Sequence, residues 1–442
     1  MRGIAGLTLA GVLMLAGLAE AATPISREAQ LQDLAQVRAE YLPKEMAFTP
    51  TTRAAAEARL KTLEARAGRL TPSDLLVGLA EVAALADNAH SGVRYHTPEA
   101  LPDKRLPLRL IWFPDALVVA RAHGDAADLA GARVLAVEGL SPDALYGRVR
   151  VLLGGKELDR KKRVTELIES EGVLKSLGVA REAAALTLRL RLADGRKVTR
   201  RIAMIPQAVT PTAEFERLWA PQALAGETGW TPALKPDAVP LYLRDADRPF
   251  RLETTPVGLY LQFRSNSDED GFPIADFLKA AEARIAADKP ANLIVDLRFD
   301  IGGNLLTTLD FMRKLPSAMA GRTYLLVGPY TFSAGIVSAA ALEKSGGDRV
   351  VIVGDEVGDR MRFWSEGDNV RLANSKLALR YTNGQWDLGA GCAGEPACLD
   401  HFINVNPVSL EPDVRAPLTA KAWLARRDPG MEAVMRLIGT RP

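Results

Sequence analysis

Ser333 is the residue of this sequence best placed to act as a nucleophile. It follows a short apolar run, Thr323 to Val327, and a Gly-Pro turn, and it precedes small residues that favour a helix. A hydroxyl on the first turn of a helix lies near unpaired backbone amides, which stabilise an oxyanion. Serine is also a common helix N-cap. Taken alone, Ser333 therefore leaves catalysis and capping both open.

Two adjacent glycines, Gly302 and Gly303, follow another apolar run, Leu293 to Arg298. Adjacent glycines allow positive φ and let a backbone amide approach a ligand closely, although they equally suit a tight turn. The sequence contains no phosphate-loop pattern around them. The pair therefore predicts either backbone donors or a structural turn.

A serine nucleophile needs a base. The sequence offers four histidines, His90, His96, His123 and His401. His90 lies in a polar turn beside Asp87, where helical periodicity stops and a side chain could project into an inter-domain cleft. His96 is close enough along the chain to be its rival, and an exposed turn histidine is also common as plain surface.

The elements that would position these residues are strand-helix-strand units. Short β-branched apolar runs alternate with helical segments between Leu293 and Gly354. This order predicts an α/β fold whose parallel strands are buried on both faces. Reaction sites in such units collect where strands end and helices begin, which is where Ser333 and Gly302 fall.

A chain of 442 residues is too long for one ordinary domain. Residues 22–100 predict a helical domain, because apolar residues recur there every three or four positions. Residues 101–206 predict a β-rich module, 207–250 a proline-rich connector, and 251–442 the catalytic α/β domain. The net charge of +2, with basic residues spread along the chain, gives no support to nucleic-acid binding.

Residues 1–21 have the pattern of a signal peptide. Arg2 precedes an apolar run, Ile4 to Leu18, and Ala19-Glu20-Ala21 has the small-x-small form of a cleavage site. An uncleaved anchor is the alternative, but the run is short for a span of about 20 residues. We expect an exported protein, periplasmic or secreted, with no integral membrane span after signal removal.

The only two cysteines, Cys392 and Cys398, flank a Gly/Pro turn. In an oxidising compartment this spacing is most simply a disulfide. A metal site with His401 as third ligand is the alternative, although no fourth ligand is evident. We therefore predict no metal and no other cofactor.

Three motifs in order resemble the tail-specific (C-terminal processing) serine peptidase family, which includes the tricorn core protease. They are Ile294 to Arg298 before Gly302-Gly303, Thr331 to Gly335, and Val353 to Arg360. In addition, residues 131–139 resemble half of the family's PDZ-type module, and residues 411–414 and 427–429 resemble its C-terminal segments. The resemblance covers most of the chain after about Leu85 and is absent from the N-terminal helices.

The resemblance implies a ClpP/crotonase-like ββα-superhelix catalytic domain and a PDZ-like β-rich module. It implies that Ser333 forms an acyl-enzyme, with an oxyanion hole made by the N–H groups of Gly302 or Gly303 and of Ala334. One branch of the family uses a lysine base at the position of Arg360, and arginine cannot lose its proton near neutral pH. The tricorn-like branch uses an upstream histidine, which assigns His90 as general base.

Glu366 and Glu411 are the candidates for the carboxylate that orients His90, and the sequence does not choose between them. Five residues depart from the family's usual pattern: Phe299, Ile301, Ile336, Val357 and Asp359. The predicted function is an exported serine peptidase acting on peptides or unfolded chains. A catalytically silent binding relative of the same fold is the alternative, and an ester hydrolase is a third possibility.

Overall fold

The computed structural model describes residues 25–94, 104–180, 184–206, 219–222 and 228–439. The predicted signal peptide and His96 lie outside these residues. The fold is mixed α/β, as predicted. Within the described part of the chain, no helix has both the length and the apolar character needed to cross a bilayer.

The chain begins with helices packed on one another. They are α1 (Arg27–Gln36), α2 (Leu42–Lys44), α3 (Pro50–Arg66) and α4 (Pro72–Ala84), with a π-helical turn, Val37–Tyr41, between the first two. Thr49 and Thr71 begin α3 and α4 with capping boxes, each followed by a proline at the first helical position. The apolar faces of these helices meet in a core that includes Leu34, Leu60 and Leu76.

A β-rich region follows. Its strands are β1 (Gly92–Val93), β2 (Lys104–Arg105), β3 (Leu108–Phe113), β4 (Ala116–His123), β5 (Arg133–Val137), β6 (Ala185–Arg191), β7 (Lys197–Ala203), β8 (Ile205–Pro206) and β9 (Trp230–Pro232). Its helices are α5 (Pro142–Val149), α6 (Glu157–Glu169) and α7 (Glu171–Ser176). Strands β3-β4-β5-β6-β7 form an antiparallel sheet in that order, and β9 pairs with β4. This sheet packs on the same core as the N-terminal helices.

The last part of the chain contains the remaining strands and helices. The strands are β10 (Phe250–Thr255), β11 (Gly258–Phe263), β12 (Asn292–Asp296), β13 (Arg322–Val327), β14 (Val350–Gly354), β15 (Arg362–Ser365), β16 (Asn369–Arg371), β17 (Ala378–Arg380), β18 (Gly384–Asp387) and β19 (Val414–Arg415). The helices are α8 (Ile274–Asp288), α9 (Leu305–Ala318), α10 (Ala334–Gly346), α11 (Ala420–Leu424) and α12 (Pro429–Ile438). Short 3-10 turns cover 124–129, 150–152, 236–238, 241–243, 347–349 and 400–402.

Six of these strands form the central sheet in the order β10-β11-β12-β13-β14-β19. Only the β10–β11 pair is antiparallel. Because strand side chains alternate between faces, Leu325 packs against α8 to α10, while Tyr324 and Leu326 pack against α12. Helices on both faces bury the strands, so their apolar runs are continuous, as expected for parallel strands.

Two smaller sheets lie outside the central sheet, and one of them joins the segment after the N-terminal helices to the last third of the chain. Strand β1, just after His90, pairs with β17 in the sheet β1-β17-β16, and β15 pairs with β18. The predicted disulfide between Cys392 and Cys398 is confirmed, and it closes a loop bonded to β18 through Gln385. Because each sulfur is bonded to the other, the alternative thiolate metal site with His401 is wrong.

Candidate active site

Ser333 lies where the turn after β13 enters α10. It occupies the N-cap position, yet its side chain makes no capping hydrogen bond. Its backbone has φ 53° and ψ −123°, an unfavourable conformation for a residue with a Cβ. A partly exposed serine on a strained strand-to-helix turn is the arrangement that presents a nucleophile. The capping interpretation of Ser333 therefore has no hydrogen bond to support it.

Gly302 packs directly against the Ser333 turn. A Cβ at this position would lie 2.7 Å from the Ser333 Cβ and 2.9 Å from the Ala334 nitrogen. Its φ of +100° also favours glycine. Glycine is required here because two backbone segments meet at a distance that leaves no room for a side chain.

The three predicted oxyanion-hole residues are not equally available. The Gly302 N–H already donates to Asp300 Oδ1 at 3.0 Å. Among the described residues, the N–H groups of Gly303 and Ala334 have no hydrogen-bond acceptor. The backbone N–H groups of Gly303 and Ala334 are thus free to donate to an oxyanion. The role of Gly302 is to let the two turns pack closely together.

Backbone hydrogen bonds join the glycine turn to the serine turn. The Phe332 N–H donates to the Asp300 carbonyl at 2.9 Å, and the Asn266 N–H donates to the Gly302 carbonyl at 2.8 Å.

Asp300 is fully buried, and its Oδ2 has no partner among the described residues. Burial raises the pKa of Asp300 to about 7, against the opposing effect of the Gly302 hydrogen bond. Sequence reasoning did not single out this carboxyl.

His90 lies against the residue that precedes Ser333. Its ring stacks on Phe332 with centroids 4.4 Å apart and on Phe363 at 5.6 Å. Both ring nitrogens are buried and form no hydrogen bond within the described chain. The fold therefore places the His90 ring against the residue that precedes Ser333, but the described residues form no Ser333–His90 hydrogen bond.

The surroundings of His90 keep its ring neutral. Burial lowers the pKa of His90 to about 3, and the charge of Asp159 opposes this shift. Three arginines lower it further: Arg380, Arg163 and Arg94. A neutral imidazole is the form that can accept a proton.

The turn before His90 is held by groups distant in sequence. The Arg360 guanidinium donates to the Asp87 carbonyl at 2.8 Å and to its carboxylate at 2.9 Å. Arg160 also donates to the Asp87 carboxylate. From the β-rich region, a Cβ on Gly155 would lie 2.6 Å from the Ala89 Cβ. Arg360 thus fixes the position of the turn before His90.

The carboxylates predicted to orient His90 lie elsewhere. Glu366 and Glu411 are exposed, and neither forms a hydrogen bond or ion pair with His90. The carboxylate that faces the ring is that of Asp359, whose Oδ2 lies 3.7 Å from His90 Nδ1. The sequence marks Asp359 only as a departure from the family pattern, and nothing in its local pattern indicates that its side chain would face His90.

Comparison with known proteins supports the fold. No family model and no curated protein matches the sequence. Mature CPAF complexed with lactacystin superposes at a TM-score of 0.59 and 14% identity, over 93% of this chain and 98% of that chain. A second structure of mature CPAF has a TM-score of 0.58 and 12% identity, over 93% of this chain and 97% of that chain. The photosystem II D1 C-terminal processing protease has a TM-score of 0.41 and 15% identity, over 93% of this chain and 97% of that chain.

Identity at this level shows a shared fold and nothing finer. The superposition nevertheless includes nearly all of both chains, so it covers the N-terminal helices, the β-rich region and the central sheet together. By fold, this chain is similar to CPAF, and the resemblance to the tail-specific serine peptidases is confirmed at the level of the fold.

Proposed function

We propose that this chain is an exported serine peptidase that cleaves peptides or unfolded protein chains. The observation that carries the proposal is Ser333, uncapped and strained at the start of α10 with Gly302 packed against it. CPAF, which is similar to this chain in fold, has been solved in complex with lactacystin. The disulfide between Cys392 and Cys398 fits an oxidising compartment outside the cytoplasm.

The proposed mechanism uses one side-chain pair and two backbone donors. His90 takes the proton of the Ser333 hydroxyl while the oxygen attacks the scissile carbonyl, and it returns the proton to the leaving amine. The Gly303 and Ala334 N–H groups stabilise the oxyanion. The imidazole and the hydroxyl must approach to about 3 Å for proton transfer, and such contacts often tighten only when substrate binds.

The β-rich region and the central domain have proposed roles in this function. We assign the first as a PDZ-like module that receives a peptide as an added strand, and the second as a ClpP/crotonase-like superhelix. The antiparallel sheet β3 to β7 supports the first assignment. The parallel strands β11 to β14, with α9 and α10 packed on one face of their sheet, support the second.

The test is labelling with a fluorophosphonate probe, together with hydrolysis of an unstructured protein substrate. We expect the wild type to be labelled and Ser333→Ala to be unlabelled. Ser141→Ala is a matched control, since Ser141 caps α5 with a side-chain hydrogen bond to the Ala144 N–H. That change should lower the free energy of unfolding by about 1 kcal/mol and leave labelling intact. Equal labelling of the wild type and Ser333→Ala would contradict the proposal.

The second candidate is a catalytically silent protein that binds peptides in the same cleft. The absence of a Ser333–His90 hydrogen bond among the described contacts favours it. It predicts no labelling or hydrolysis, but peptide binding that survives Ser333→Ala.

Comparing ester with amide substrates in the same assay distinguishes an ester hydrolase from a peptidase.

A further inference from the structure

Asp359 and His90 form a buried pair, and each has at least one polar side-chain atom without a hydrogen bond among the described residues. The Asp359 side chain is only 1% exposed. Its Oδ1 accepts the Arg360 N–H at 2.8 Å, whereas its Oδ2 has no hydrogen bond within the described chain. This free oxygen lies 3.7 Å from the free Nδ1 of His90. Buried polar atoms without partners are rare, because each costs about 1–3 kcal/mol in lost solvation.

The distance is slightly too long for a hydrogen bond, but the two atoms face each other in a closed site. Phe332 and Phe363 hold the imidazole between them. Movement of the ring by a few tenths of an ångström toward Asp359 would form the bond. Among the described residues, no other carboxylate oxygen lies within 4.0 Å of the ring nitrogens.

We propose that Asp359 is the positioning residue of the Ser–His pair, accepting the Nδ1–H of His90 so that Nε2 is left to take the Ser333 proton. This inference rests on the proposed function. In the reaction, the proton moves from the Ser333 oxygen to Nε2 and then to the leaving amine, while Asp359 stays ionised and balances the imidazolium.

Burial and nearby charges together set the pKa of Asp359, and therefore the pH above which its carboxylate is ionised. Burial raises the pKa of Asp359 to about 7, and repulsion from Asp159 adds to this shift. Arg360 and Arg163 oppose it. The groups that act on His90 from the surrounding elements are Asp159, Arg380, Arg163 and Arg94. Because the proposed role needs an ionised carboxylate, kcat/KM should rise with pH through a step near 7.

The test compares Asp359→Asn with Asp359→Glu, Glu366→Gln and Glu411→Gln. Asparagine keeps the size and the acceptor for the Arg360 N–H but loses the charge. We expect kcat to fall by about 10²- to 10⁴-fold with KM little changed, and the step near pH 7 to disappear. The Asp359→Glu change should restore part of kcat, and both glutamine controls should retain full activity.

A second measurement does not depend on turnover. In ¹⁵N NMR of the wild type, His90 should be the Nδ1–H tautomer, and Asp359→Asn should shift the tautomer balance. Wild-type kcat and an unchanged pH profile in Asp359→Asn, with Ser333→Ala inactive, would overturn the role of Asp359 and leave the peptidase standing. If no turnover is found in the wild type, an Nε2–H tautomer would overturn the inference by itself, and an Nδ1–H tautomer lost in Asp359→Asn would support it.

Discussion

Replacing Gly302 with alanine tests whether the close contact of two turns builds the site. The added Cβ would lie 2.7 Å from the Ser333 Cβ and 2.9 Å from the Ala334 nitrogen. Ordinary contacts between such atoms are about 3.5–4 Å. One of the two backbone segments must therefore move by roughly 1 Å, and both belong to the proposed catalytic machinery.

The expected magnitudes follow from two separate effects. Alanine at φ +100° costs about 1–3 kcal/mol in backbone strain, and the overpacking adds about 1–3 kcal/mol. A displacement of 1 Å in a reacting group or oxyanion donor lowers the rate by about 10²- to 10³-fold. We expect Gly302→Ala to fold, with a lower free energy of unfolding, and to lose about this much in kcat.

Gly195→Ala is the matched control. Gly195 has a similar φ of +88°, but its added Cβ would meet nothing within 4 Å. The Gly195→Ala variant should lose free energy of unfolding through backbone strain alone, without a steric clash, and it should retain full kcat. The assay is denaturant unfolding for stability, together with initial rates on an unstructured protein substrate. If Gly302→Ala kept the kcat of Gly195→Ala, the contact between the two turns would have no catalytic role.

Three further predictions concern the surroundings of the site. His90→Phe should gain stability relative to wild type as pH falls from 6.5 toward 3, by on the order of 4 kcal/mol, because the pKa of folded His90 is about 3 and only the unfolded chain takes up that proton. Urea unfolding across this pH range measures the difference, and a constant difference would contradict a buried neutral ring. Arg360→Met should lower kcat about tenfold by loosening the turn before His90. It should lower the free energy of unfolding by no more than about 1 kcal/mol, since the side chain is half exposed, whereas Arg362→Met should leave kcat unchanged. Replacing Cys392 and Cys398 with serine should lower the free energy of unfolding by about 2 kcal/mol, and reducing agent should produce the same loss in wild type but none in the variant.

Local pattern was sufficient for several features. The β-branched runs from Leu293 to Val353 predicted buried strands that the structure contains as β12 to β14. Adjacent glycines and a serine at strand ends predicted a site there, because the ends of neighbouring parallel strands meet at one edge of a sheet. The spacing of Cys392 and Cys398 predicted their disulfide.

The contacts of the site depend on segments hundreds of residues apart, and local pattern carries no information about them. The carboxylate that faces His90 depends on how β1 pairs with β17 and on how the turn at Asp359 packs near Phe332. For this reason the sequence predicts Glu366 or Glu411 at a place that Asp359 occupies in the structure. The hydrogen bond from the Gly302 N–H to Asp300 cannot be predicted from the sequence either, because the sequence does not show whether an aspartate is buried or exposed. Residue types and their spacing are enough to identify which side chains can do chemistry and on which elements they lie. Which of them meet depends on the packing of the chain, because burial and distance govern pKa values and hydrogen bonds.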